Sequence, residues 1–256
     1  MPSVTHLDIA PVISLGLERR DEIMVTKRGV DEDRRFFIVD DAGRLIDQLL
    51  VADMVQVRAW TDPSATILRL TFPDGQVVED DVRPGPAFEG VIRKLPTQGH
   101  EVDGPWAEPL SAYMGRPVRV IRTDRPGVLQ KDGRLSMVTD ASLDMLSHQL
   151  GAGGIDGRRF RMLINLTGDT AHEEDTWIGH RVGLGDTTLR VTGAIPRCAM
   201  TTHDPETGER DFDTLRAIRE YRGFAGPDEK DLMFGVYGDV ERPGRIRVGD
   251  EVRLLD

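Results

Sequence analysis

The strongest constraint on this chain is its habit of running in short apolar stretches of period two, each ended within a few residues by turn chemistry. Residues 54–60 alternate Val55, Val57 and Ala59 with Gln56 and Arg58, the pattern of a strand with one face buried. Thr61-Asp62-Pro63-Ser64 turns the chain into a second apolar run, 66–72, and Pro73-Asp74-Gly75 turns it again into 76–78. That is a β-meander. Phe36 to Val39 followed by Asp40-Asp41-Ala42-Gly43 reads as a strand entering a hairpin turn, and 160–166, 188–195 and 246–254 read as further strands, the last broken at Gly249-Asp250. Segments this short cannot carry a helical bundle.

Two stretches have helical spacing instead. Residues 142–150 place Leu143, Leu146 and Leu150 on one face, with Asp140 as cap and Gly151 as stop. Residues 213–221 place Leu215, Ile218 and Tyr221 similarly. Residues 83–104 are rich in Pro and Gly and lack sustained periodicity apart from a short element near 88–95. We place a domain boundary there, dividing the chain into 1–98 and 99–256. Many strands and few helices predict a mainly β, α+β protein of closed or partly closed barrels carrying helices.

Charge excludes several roles. Forty-four acidic residues against 33 basic give a net charge of -11, which repels nucleic acid and anionic lipid, so neither is an expected partner. The first residues lack the basic flank and apolar core of a signal peptide, and no apolar run has spanning length. One cysteine cannot form an internal disulfide, which suits a reducing compartment, and a cytoplasmic location is expected.

That cysteine, Cys198, follows a predicted strand and a proline in Ile195-Pro196-Arg197-Cys198-Ala199-Met200-Thr201-Thr202. A lone cysteine is commonly a small buried hydrophobe. Here the adjacent Arg197 favours the thiolate, the form that attacks electrophiles and binds metals. His6, His100, His148, His172, His180 and His203 have no zinc-like spacing, and the acidic run 173–175 reads as a solvated loop. Gly151-Ala152-Gly153-Gly154 follows a helix and is a helix stop rather than a phosphate loop; no GxSxG elbow or P-loop occurs. Arginines at 34, 35, 158, 159, 161 and 197 are basic spots beside predicted strands, suited either to phosphate or to the many carboxylates.

In order and spacing the segments resemble one family over nearly the whole chain. Pro11-Val12-Ile13-Ser14, Gly29, Asp33-Arg34-Arg35-Phe36, Val39-Asp40 and Gly43 resemble the β-barrel region that precedes MOSC domains. The second half resembles the MOSC domain (molybdenum cofactor sulfurase C-terminal domain) itself. Its marks are Asp140-Ala141-Ser142-Leu143, Arg159-Phe160-Arg161, Glu174-Asp175-Thr176-Trp177, Arg197-Cys198, 201–208, Tyr221-Arg222, 234–237 and 244–250. The resemblance implies a MOSC-type β-barrel after a smaller N-terminal β-barrel domain.

It further implies a molybdenum cofactor (Mo-molybdopterin), Cys198 being the metal ligand and catalytic centre, and an oxidoreductase, as family members include reductases of N-hydroxylated compounds. A soft thiolate suits such a metal. By position, Ser14, Arg34, Arg161 and Arg197 are assigned to the anionic cofactor, with Thr139, Asp140 and Ser142 at a helix start facing it. Relatives often carry lysine at the position of Ile13, and a polar residue at that of Leu163; Asn165, two residues on, lies on the same side of a strand. The family also admits pyridoxal phosphate as a ligand. A small-molecule substrate and a separate electron donor, ferredoxin-like or a flavin reductase, are the implied partners, since the 256 residues contain no cysteine-rich iron–sulfur segment. Two alternatives stand beside this: a non-redox carrier of persulfide sulfur or of the cofactor on Cys198, and a fold in which Cys198 merely packs.

Overall fold

The computed structural model describes residues 1–127, 134–226 and 228–256. Eight strands make the largest sheet, in the order Val252–Leu254, Arg181–Leu184, Thr187–Pro196, Met233–Arg242, Arg134–Thr139, Ile164–Leu166, Val4–Ile9 and Glu18–Arg20. Its neighbours run antiparallel except Arg134–Thr139 with Ile164–Leu166, which are parallel. A parallel pair needs a crossover. A helix in that connection, Asp140–Gln149, supplies it.

A three-stranded sheet, Gly244–Arg247, Glu22–Thr26 and Gly29–Val30, shares its core with the large sheet. Leu7, Ile9, Met137, Leu189 and Val236 meet Ile23, Val25 and Ile246 in one apolar cluster. The strands Val4–Ile9, Glu22–Thr26 and Gly29–Val30 are thereby built into the same core as the C-terminal strands. A second core joins the five-stranded sheet (Arg83–Ile92, Leu95–Asp103, Arg119–Thr123, Phe36–Val39, Leu45–Ile46) to the meander Arg58–Thr61, Ile67–Thr71, Val77–Asp81. Trp106, fully buried beside the helix Ala107–Met114, donates from Nε1 to the Leu68 carbonyl at 3.0 Å and ties the two together. Successive residues of a strand face opposite ways. Met137 enters the main core, while Val138 packs with Leu146 and Ile218 of the helices Asp140–Gln149 and Thr214–Arg222.

The mainly β reading with several helices holds, and so do the meander, both helices and the hairpin at 40–43. Closure is different: among the described residues no sheet pairs its first strand with its last, and the cores are enclosed by facing sheets. Residues 52–56 form a 3-10 turn, and the strand starts only at Arg58. Val55, Val57 and Ala59 are buried as the alternation requires, so the burial was legible and the backbone was not. Residues 83–104 hold the longest hairpin among the described residues, its ladder broken between Pro84 and Ala87. Residue 98 lies inside its second strand. The 160–166 run begins with a 3-10 turn, Gly157–Phe160, and is strand only from Ile164. The helix after 139 is capped by Thr139 Oγ1, not by Asp140. No described helix is long and apolar enough to cross a membrane.

Candidate functional site

Four irregular segments come together between these strands. After Val4–Ile9 the chain runs alongside Phe36, with Ile13 N donating to the Phe36 carbonyl and Phe36 N to that of Pro11, both at 2.9 Å. Leu15 N then closes on the Val12 carbonyl, and Ser14 sits at φ 67°. Arg34, also left-handed (φ 49°), donates its N–H to the Ala10 carbonyl at 2.7 Å. Arg161 (φ 51°) ends the 3-10 turn Gly157–Phe160. Cys198 precedes the 3-10 turn Ala199–Thr202 and holds it by accepting from Thr201 N and Oγ1 at its carbonyl.

These residues line one pocket of about 160 Å³. It contains Ser14, Arg34, Arg161, Arg197 and Cys198 of the expected set, together with Ile13. Left-handed backbone costs a residue with a side chain about 1–2 kcal/mol, and such strain concentrates at functional sites. Eight described non-glycine residues have it, and four of them, Ser14, Arg34, Arg93 and Arg161, line this pocket.

The electrostatics are lopsided for an acidic protein. Arg34 pairs with Asp33 through Nη1 and donates from Nη2 to the Arg161 carbonyl at 3.0 Å. Arg161 returns Nη2 to the Leu15 carbonyl at 2.8 Å, locking the two halves of the chain together. Arg197 spends its fork on carbonyls: Nε and Nη2 on Phe234, Nη1 on Phe160. Neither Arg161 nor Arg197 meets a carboxylate at ion-pair distance among the described residues. Burial pulls both guanidinium groups down to about 9, and the Arg34 charge acts in the same direction. Cations left like this call for an anion. Ser14 Oγ is buried without any hydrogen-bond partner, an unused donor in the same wall. The Cys198 side chain is exposed and free.

The remaining expected residues lie elsewhere. Thr139 Oγ1 and Ser142 Oγ both engage the fully buried Glu174 carboxylate, at 2.7 and 2.8 Å, and Ser142 Oγ also accepts from His172 N. Burial raises the Glu174 carboxyl above its usual range, against those hydroxyls. Asp140 accepts from the backbone N–H of Ala141 and Gly168. Asn165 donates to Asp8 at 3.2 Å, and Leu163 is sunk in the main core. None of these lines the Cys198 pocket.

Arg93 does, and no reading of the sequence singled it out, because the hairpin that carries it was taken for a linker. Arg159, one of the basic spots, also lines the pocket, but its guanidinium is committed to Asp211 by two bonds and to the carbonyls of Thr201 and His203. A wider groove of about 330 Å³ shares Arg161 with the pocket and runs past Gly16, Arg58, Phe72 and Glu206. No group of three or more His, Cys, Asp or Glu side chains placed to hold a metal ion occurs among the described residues. A metal at Cys198 would have to bring its other ligands with it.

The family described as MOSC domain matches residues 115–253, and that described as MOSC N-terminal beta barrel domain matches 1–107. The chain is 38% identical over 127 residues to human mitochondrial amidoxime reducing component 2, covering 46% of this chain and 36% of that protein. It is 29% identical over 255 residues to mitochondrial amidoxime-reducing component 1 of Xenopus laevis (88% and 73%). Molybdenum cofactor sulfurase of Caenorhabditis briggsae aligns with all of it at 24%, over 36% of its own length. The chain thus spans little more than a third of the length of the human and macaque relatives it matches. Among solved structures the YUAD protein from Bacillus subtilis matches at a TM-score of 0.44 and 12% identity, covering 98% of this chain and 94% of that one. With a domain match over more than half its residues and the companion match before it, the chain belongs to the MOSC domain family.

Proposed function

We propose that this protein binds a molybdenum–pterin cofactor at the Cys198 pocket and works as an oxidoreductase on small N-hydroxylated compounds. One observation carries the reading. A lone exposed thiol opens onto a pocket whose other walls hold two half-buried arginines without carboxylates and a buried hydroxyl without a partner. That set suits a metal delivered inside an anionic chelate: one soft protein ligand, and cations for the phosphate.

In this reading Cys198 supplies the thiolate, a ligand type suited to a soft transition metal. Arg34 and Arg161 take the phosphate, with Ser14 Oγ donating a further hydrogen bond. Arg197 keeps the backbone before Cys198 in place through the Phe234 and Phe160 carbonyls. When bound, the cofactor supplies two-electron transfer, and converting N–OH to N–H with release of water consumes two electrons and two protons. The electrons come from a separate donor protein, a role that nothing in the pocket fills.

The test is to produce the chain in a cofactor-competent host and measure molybdenum and pterin in wild type and Cys198→Ala. Near-stoichiometric molybdenum in wild type, lost in the variant, is expected. Wild type free of molybdenum sinks the reading. The exposure of Cys198 favours a second one, a carrier of persulfide sulfur or of the cofactor itself. Intact mass before and after a thiol reductant separates the carriers, since sulfur carriage requires an added 32 Da on the order of one per chain that reductant removes.

A further inference from the structure

The hairpin Arg83–Ile92 with Leu95–Asp103 turns in two residues, Arg93 and Lys94, between the paired Ile92 and Leu95. Both turn residues are left-handed, at φ 46° and 72°. Two-residue turns of this hand are ordinarily made with Asn and Gly, because a Cβ is crowded there. This turn carries two long cations instead. Ile92, just before it, is buried in a cluster with Ile13, Phe37 and Phe88, so the tip is pinned against the very segment that holds Ser14. The pinning explains how the strained turn persists, and it delivers Arg93 to the wall of the Cys198 pocket.

Arg93 pairs with Asp47, but its side chain remains 38% exposed against 16% for Asp47. Asp47 is held by its own loop: its carboxylate accepts from Leu49 N, and its carbonyl accepts from Leu50 N and Val51 N. The anchored partner is therefore the acid, and the long arginine is the member free to turn. An ion pair with so exposed an arginine is weak, so an anion in the pocket can compete for the guanidinium.

We propose that Arg93 is an anion-binding residue of the Cys198 pocket, exchanging Asp47 for the phosphate monoester of an incoming ligand. The phosphate belongs either to the cofactor or to a substrate. The proposal uses the pocket of the functional reading and does not need its metal.

Cys198 itself reports on it. Thiol–disulfide exchange with a dianionic aromatic disulfide, 5,5′-dithiobis(2-nitrobenzoate), is compared with a neutral dipyridyl disulfide on cofactor-free protein. Arg93→Gln should slow the anionic reagent by roughly threefold or more and leave the neutral one unchanged. Asp47→Asn should speed the anionic one. Inorganic phosphate should slow the anionic reagent in wild type and much less in Arg93→Gln. Unchanged anionic rates with phosphate protection intact in Arg93→Gln overturn the proposal, as do equal changes with both reagents.

Protein from a cofactor-competent host then identifies the source. Pterin lost from Arg93→Gln assigns the phosphate to the cofactor, and pterin retained assigns it to a substrate. A wild type without pterin sinks the cofactor reading while leaving the labelling result to stand.

Discussion

Arg197 donates to the Phe234 carbonyl twice, from Nε at 2.8 Å and from Nη2 at 2.6 Å, while Nη1 reaches the Phe160 carbonyl at 3.1 Å. The residue before the cysteine thus bridges the strand Met233–Arg242 and the turn Gly157–Phe160. Its planar fork meets two carbonyls that lysine cannot match from a single nitrogen. Arg197→Lys should lower stability by about 2 kcal/mol in urea unfolding, by leaving a buried carbonyl unpaired. It should also change the rate at which Cys198 reacts with a neutral disulfide, because the backbone just before it is released. An unchanged urea midpoint would mean that the fork is not structural.

Arg159 and Asp211 form a two-bond ion pair at the site, at 2.9 and 2.8 Å, with an arginine side chain only 1% exposed. The arginine also holds the Thr201 and His203 carbonyls, the turn directly after Cys198. Removing the acid leaves a buried charge, so Asp211→Asn should cost about 3 kcal/mol. It should also speed hydrogen exchange in residues 199–203. Bonding to Arg159 outweighs burial and holds the Asp211 carboxyl below its ordinary value. Its stabilisation is therefore present above the unfolded pKa, about 4, and lost as pH falls through the lower folded one. The deficit of Asp211→Asn relative to wild type should shrink on acidification through that window.

Glu18 titrates the opposite way. Burial pushes its carboxyl up to about 7, against the pull of Arg20. A raised folded pKa means stability fully present below the unfolded value, about 4.5, and lost as pH rises through 7. Glu18→Gln should remove that slope. Subtracting variant from wild-type unfolding free energies between pH 4.5 and 8 should show wild type losing about 1–2 kcal/mol relative to the variant. A flat difference would show that Glu18 is well solvated as the anion.

What the sequence revealed of the site follows a physical line. Ser14, Arg34, Arg161, Arg197 and Cys198 lie in irregular backbone next to strands, where a ligand can approach, and they do converge. Thr139 and Ser142 looked equivalent to them, since a hydroxyl at a helix start suits an anion. The structure gives those hydroxyls to Glu174, thirty-odd residues away along the chain, a partner that spacing cannot announce. Arg93 was hidden for another reason. Its turn has no Gly or Asn to mark it, and its first strand carries Pro84 and Pro86, so strain and an interrupted ladder masked the hairpin. Alternation told which of Val55, Val57 and Ala59 are inside, but a 3-10 turn can bury the same residues, so it did not tell the backbone.

Ser14 separates ligand binding from folding. The residue is 2% exposed and its buried hydroxyl unpartnered, and a buried polar atom left unpaired costs about 1–3 kcal/mol. Alanine would carry the same left-handed backbone strain without the orphaned group. Ser14→Ala should therefore raise the stability of cofactor-free protein by about 1 kcal/mol. A hydrogen bond to a charged phosphate is worth about 1.5–3 kcal/mol, so the variant should hold a phosphate ligand roughly tenfold more weakly or worse. Urea midpoints of the two cofactor-free proteins, and pterin retained through gel filtration, measure the two effects. A variant both more stable and leakier marks the hydroxyl as kept for a ligand; a less stable one would mean that Ser14 serves the fold.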